Sequence, residues 1–173
     1  MTGNYGCATS GVHEKLTDSY HRLVASRHFW ERFTELFLGR NEAVRRHFDH
    51  VPPAHRRGLL QRSLAVLFDH AEHQPGAEAA LDTLARPDQK GRQEIPEALY
   101  GLWLVSLLQA VKECDPHYSD DLERAWRHAM EGQVACLIRS SREQTDTAPT
   151  QSTYAQGAVA AGAFTPIRPA TLH

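Results

Sequence analysis

Eleven histidines in 173 residues are the side chains of this sequence with the most chemistry to offer. The densest run is Asp69-His70-Ala71-Glu72-His73. On a helix, Asp69 and His73 stand four apart on one face, a spacing that can chelate a transition metal, with His70 beside them. His47 and His50 would add ligands if the fold brought them close. The plainer reading is a polar helix end, where a protonated histidine suits the negative dipole terminus. Helical di-iron proteins need Glu-x-x-His on two helices, and the chain holds no such pair. His13, His21, His28 and His55 fall at scattered polar positions, His117 in a turn and His128 on the outer face of the last helix. Cys7, Cys114 and Cys136 form no C-x-x-C pair, which argues against a disulfide framework and a zinc ribbon. Cys136, between Val134 and Ile138, reads as a buried apolar thiol. Gly-rich phosphate loops, Gly-x-Ser-x-Gly elbows and Cys–His arrangements do not occur. No residue is marked as catalytic.

Charge narrows the function classes further. The chain carries 19 basic and 21 acidic side chains, for a net charge of −2. That balance argues against a nucleic-acid binder or a polybasic membrane anchor. Arg40, Arg45, Arg46, Arg56, Arg57 and Arg62 nevertheless gather in one stretch, against only Glu42 and Asp49. Such a belt reads as a solvated rim or as a place for an anionic group. The opening MTGNYGCATSG has no basic start followed by an apolar run, so no signal peptide is expected. No apolar stretch approaches the roughly 18 residues of a membrane span. A soluble, cytoplasmic protein is the expectation.

The elements that must position these residues are helical. Between residues 13 and 139 the apolar spacing repeats at three and four residues, and period-2 alternation is missing. Leu16, Tyr20, Leu23 and Val24 form one stripe; Phe29, Trp30, Phe33, Leu36 and Phe37 form a second that Gly39 closes as a C-cap. A short element carries Val44 and Phe48 up to Pro52-Pro53, and Pro53 can begin the next helix. That helix presents Leu59, Leu60, Ser63, Leu64, Leu67 and Phe68 and ends before Pro75-Gly76. A shorter piece spans Ala77 to Arg86. Pro96 then opens a strong helix with Leu99, Leu102, Trp103, Ser106 and Leu107 on its face, broken by Asp115-Pro116. Ser119 can N-cap the last helix, whose stripe is Leu122, Trp126, Ala129, Met130, Gln133 and Leu137. Residues 1–12 read as a flexible arm. Residues 140–173, rich in Thr, Ala, Gln and Pro, read as a disordered tail.

This order of about seven helices resembles the globin fold, and more narrowly the bacterial single-domain globins, over about residues 15–139. The aromatic-rich FWERFTELFL is similar to the family's second helix. Phe48, eleven residues after Phe37 and just before a proline-bearing turn, stands where the family keeps a Phe at the corner after its third helix. The text IPEALYGLWLVSLLQAVKECDPHYSDDLERAWRHAM is similar to the family's last two helices, including Ala125-Trp126. The resemblance implies an all-α globin-like domain at 13–139, haem b in its cleft, and a diatomic gas or small ligand as the partner.

Carried over by position, the resemblance places Phe48 against a haem face and Leu60 at the distal apolar position. Arg56 falls at the distal polar position, and Phe33 or Thr34 in the distal pocket. Leu84, Tyr100 and Trp103 complete the implied cofactor set. The proximal position departs from the family. Counting 28 residues on from Leu60, or 12 back from Tyr100, lands both times on Asp88. The family text there runs Leu-Ala-x-x-His; here it is Leu84-Ala85-Arg86-Pro87-Asp88, and no His occurs from 74 to 116. Asp88 is thus the implied metal ligand, though a carboxylate is a hard and weak partner for ferrous iron. Four outcomes stay open: haem with an unusual ligand, haem with a His supplied from elsewhere in the chain, a haem-free regulatory or interaction module, or a specialised enzyme with non-histidine iron ligation.

Overall fold

A computed structural model of the protein describes residues 6–86 and 95–147, with side chains in 11–86 and 95–144. Seven α-helices lie within them: α1 Gly6–Ala25, α2 Arg27–Gly39, α3 Glu42–Phe48, α4 Pro53–Ala71, α5 Ala77–Ala85, α6 Tyr100–Cys114 and α7 Asp120–Thr147. A 3-10 turn, Glu97–Leu99, leads into α6. The described residues contain no strand, and no helix among them is long and apolar enough to cross a membrane.

Local chemistry sets most of the helix ends. Ser26 accepts from the N–H of Phe29 at 3.3 Å and starts α2, while Asn41 accepts from Ala43 at 2.8 Å and starts α3. Pro53 occupies the first turn of α4, where its missing N–H leaves no bond unmade. Gly76 takes φ 82° before α5, a left-handed conformation that suits a residue without Cβ. Gly39 behaves differently from expectation. It is the last helical residue, but Arg40 caps α2 in a right-handed conformation, with its N–H on Phe37.

The ends of the chain also differ. α1 begins at Gly6, inside the stretch read as a flexible arm, and α7 runs to Thr147, past the expected boundary at 139. Beyond that boundary Ser141 is buried and donates to the Ala85 carbonyl at 3.0 Å, and Gln144 donates to the Asp82 carbonyl at 3.2 Å. Polar side chains thus fasten α7 to α5.

The apolar stripes meet in one core. α2 packs along α6, α5 on α4 and α7, and α1 on α7. Phe29, Phe33, Phe37, Leu64, Leu67, Trp103, Leu107, Trp126 and Leu137 are fully enclosed there. Tyr20 stacks on Phe68 with ring centroids 3.7 Å apart and joins α1 to α4.

Candidate functional site

Five of the residues expected at the cleft converge in the core. Phe33 of α2, Phe48 of α3, Leu60 of α4 and Tyr100 and Trp103 of α6 are all buried. The Phe33 ring meets Trp103 edge-on at 5.7 Å, and Phe37 meets Phe48 at 5.6 Å, both good aromatic geometries. The Trp103 indole N–H donates to Ser63 Oγ at 3.1 Å, and that hydroxyl donates to the Leu60 carbonyl at 3.1 Å. A buried indole needs such an acceptor. The relay therefore fixes α6 against α4 beside Leu60. Leu84 is half-buried against the same core on α5. Asp88 lies outside the described residues.

The polar residues expected at the cleft point elsewhere. Arg56 donates through Nε to the Val51 carbonyl at 2.6 Å and through Nη2 to the Asp49 carbonyl at 3.2 Å. It braces the turn between α3 and α4. Thr34 turns its hydroxyl back onto the Trp30 carbonyl at 2.7 Å. Much of the arginine belt is likewise tied up within the chain. Arg45 and Arg46 pair with Glu42 at 3.6 and 3.1 Å, and Arg40 reaches Ser106 Oγ at 3.4 Å.

The chelating face expected from Asp69, His70 and His73 is not formed. α4 ends at Ala71, and His73 leaves it with φ 55°, so the four-residue helical register breaks before it arrives. The His70 Nδ1–H donates to the amide oxygen of Gln133 on α7, while Nε2 lies 3.4 Å from Glu78 of α5. Among the described residues no three His, Cys, Asp or Glu side chains are grouped to hold a metal ion. His47 and His50 stand with ring centroids 6.3 Å apart beside Phe48. Cys136 is half-buried rather than enclosed, with an Arg139 guanidinium nitrogen 3.4 Å from its sulfur.

The strongest buried polar assembly involves a residue that the sequence marked only as a helix breaker. Asp115, just after α6, has no exposed side-chain surface. Ser19 of α1 donates to its Oδ2, the His117 N–H donates to Oδ1 at 2.9 Å, and Arg22 of α1 reaches both oxygens at 3.1 Å. Trp126 of α7 donates its indole N–H to the Ser19 hydroxyl at 2.9 Å. Burial pushes the Asp115 carboxyl pKa up, but the hydrogen bonds from Ser19, His117 and Arg22 outweigh it and hold the value below the ordinary one. Partners 93 and 96 residues away are invisible to local pattern. The one local sign is an Asp directly after α6, in the turn that leads to the helix carrying Trp126.

No family model and no curated protein matches the chain. A solved structure does match. It is a Pseudomonas aeruginosa protein described as structurally highly homologous to a human hemoglobin, 26% identical to this chain. The match covers 75% of this chain and 98% of that one, with a TM-score of 0.65.

Proposed function

We propose, for a chain whose fold is globin-like and divergent, a globin-type ligand-binding function. The cleft bordered by Phe33, Phe48, Leu60, Leu84, Tyr100 and Trp103 takes haem b or another small apolar ligand and serves to bind or sense a diatomic gas such as O2 or NO. The observation that supports this reading most directly is the match to nearly the whole length of a haemoglobin-like structure. The apolar character of these side chains agrees with it, because small-molecule sites are lined mainly by aromatic and aliphatic groups.

The donor set does not fit ordinary histidine-ligated haem. No imidazole occurs from 74 to 116, and Asp88 stands where the resemblance places the proximal histidine. His70 is no substitute. It follows Leu60 by ten residues, about 15 Å along a helix, and its ring is already engaged by Gln133. Arg56, which the resemblance places at the distal polar position, is held on two backbone carbonyls.

An absorption spectrum of freshly purified protein, followed by titration with haemin, tests the reading. A Soret band on isolation, or one that saturates at stoichiometric haemin, would support the haem form of the reading despite the missing imidazole. Asp88→His is expected to tighten haemin binding, with a spectrum that changes to that of imidazole-ligated haem. No Soret shift in the wild type would end the haem form of the proposal. A haem-free regulatory or interaction module is the second reading, favoured by the missing imidazole. Haem carried by the isolated wild type would end that one.

A further inference from the structure

A groove of about 560 Å³ opens between α1, the end of α4 and the first half of α7. None of its lining residues belongs to the cleft set. Leu16 and three alanines, Ala71, Ala125 and Ala129, make its apolar floor. Ala125 and Ala129 stand four apart on α7, so their methyl groups face the same way. Where Leu or Met would fill the space between three helices, these side chains leave it open. The volume falls within the roughly 300–1,000 Å³ of small-molecule sites. Val12 extends the apolar wall and is itself 45% exposed.

One charged group sits at the edge of this apolar volume. The Glu72 side chain is only 13% exposed, and its ion-pair partner is His13 Nε2 at 3.0 Å. His13 is 61% exposed and carries charge only when protonated. The carboxylate thus borders the apolar volume, and its ion-pair partner there is a side chain at the protein surface. Gln133 closes one end of the groove with its amide oxygen held by His70, and His128 stands exposed on the α7 side. An anionic ligand would meet Glu72 head-on. A cation with an apolar body answers both features together.

We propose that this groove is a binding site for a hydrophobic amine, with its ammonium on the Glu72 carboxylate and its ring or alkyl body over Leu16, Ala71, Ala125 and Ala129. The ammonium takes the place of the His13 imidazole. The site is independent of haem and of the cleft.

Titration of the full-length protein with 2-phenylethylamine, followed by amide NMR shifts, tests the proposal against 2-phenylethanol and phenylacetate. The expected result is saturable shifts at Leu16, Ala71, Ala125 and Ala129, with the amine binding at least tenfold tighter than the alcohol. Glu72→Gln should bring the amine down to the alcohol's affinity, and His13→Ala should strengthen amine binding. Ala129→Leu, or the smaller Ala125→Val, should weaken every probe while the rest of the spectrum is retained. Equal affinity for amine and alcohol, tighter phenylacetate binding, or shifts elsewhere would each overturn the proposal. So would amine affinity unchanged in Glu72→Gln.

Discussion

The indole of Trp103 is carried fully into the core, and one hydroxyl decides whether that is tolerable. Ser63 accepts the indole N–H and passes its own hydrogen to Leu60, so no polar group in the relay is left bare. Ser63→Ala keeps the volume nearly unchanged but strands the donor. We expect a loss of about 1–3 kcal/mol in denaturant unfolding, while Trp103→Phe in the same background should recover part of it. An unchanged stability in Ser63→Ala would mean that the indole has another acceptor. The burial of Phe33, Phe48, Leu60 and Trp103 was legible in the sequence because each lies on a three- and four-residue apolar stripe. Ser63 was legible only as an interruption of its stripe; the partner that explains it lies 40 residues away. The backbone partners of Arg56 were hidden for a related reason. Position along α4 gives the side of the helix, but the carbonyls left free at the end of α3 captured its guanidinium.

Helix ends written in side-chain chemistry were readable, and those written in tertiary contact were not. Ser119 before α7 and Pro53 in α4 act as their types predict: Ser119 Oγ accepts from the Leu122 N–H at 3.2 Å. Ser119→Ala should therefore cost about 1 kcal/mol of stability, seen as a lowered denaturant midpoint with an unchanged slope. A midpoint equal to wild type would show that Asp120, Asp121 and Glu123 suffice for that terminus. The far end of α7 gave no such sign. Its residues beyond 139 are polar and read as tail, yet Ser141 and Gln144 find acceptors on α5, and Arg142 pairs with Glu97. Composition describes how a segment meets water; it carries no word of a neighbouring helix that offers unpaired carbonyls.

At the scale of the molecule, Asp115 joins α1, the end of α6 and the turn before α7, while Trp126 adds α7 through Ser19. Its folded pKa lies below the ordinary value of 3.8. The sign follows from linkage: the stabilisation is complete above that ordinary value and is lost as pH falls through the lower folded one. Equilibrium unfolding from pH 5 to 2 should therefore show stability falling with acid in the wild type. Asp115→Asn should be less stable at pH 5, by about 2 kcal/mol for a lost charge-assisted bond, and should show a shallower fall. A parallel pair of curves would remove Asp115 from the acid response. The globin-like helix order was legible in the sequence, because it resides in lengths, prolines and stripes. This junction was not, because it exists only once the two ends of the chain have met.

The bonds from α7 to α5 have a consequence for the segment that follows α5. Asp82 and Ala85, whose carbonyls receive Gln144 and Ser141, come just before the stretch that contains Asp88. The last turns of α7 thus work as a splint along the end of α5. A protease cutting near 139 would leave the aromatic core in the chain and still unmoor α5. Length at the C-terminus and the anchorage of α5 are, in this protein, mechanically the same quantity.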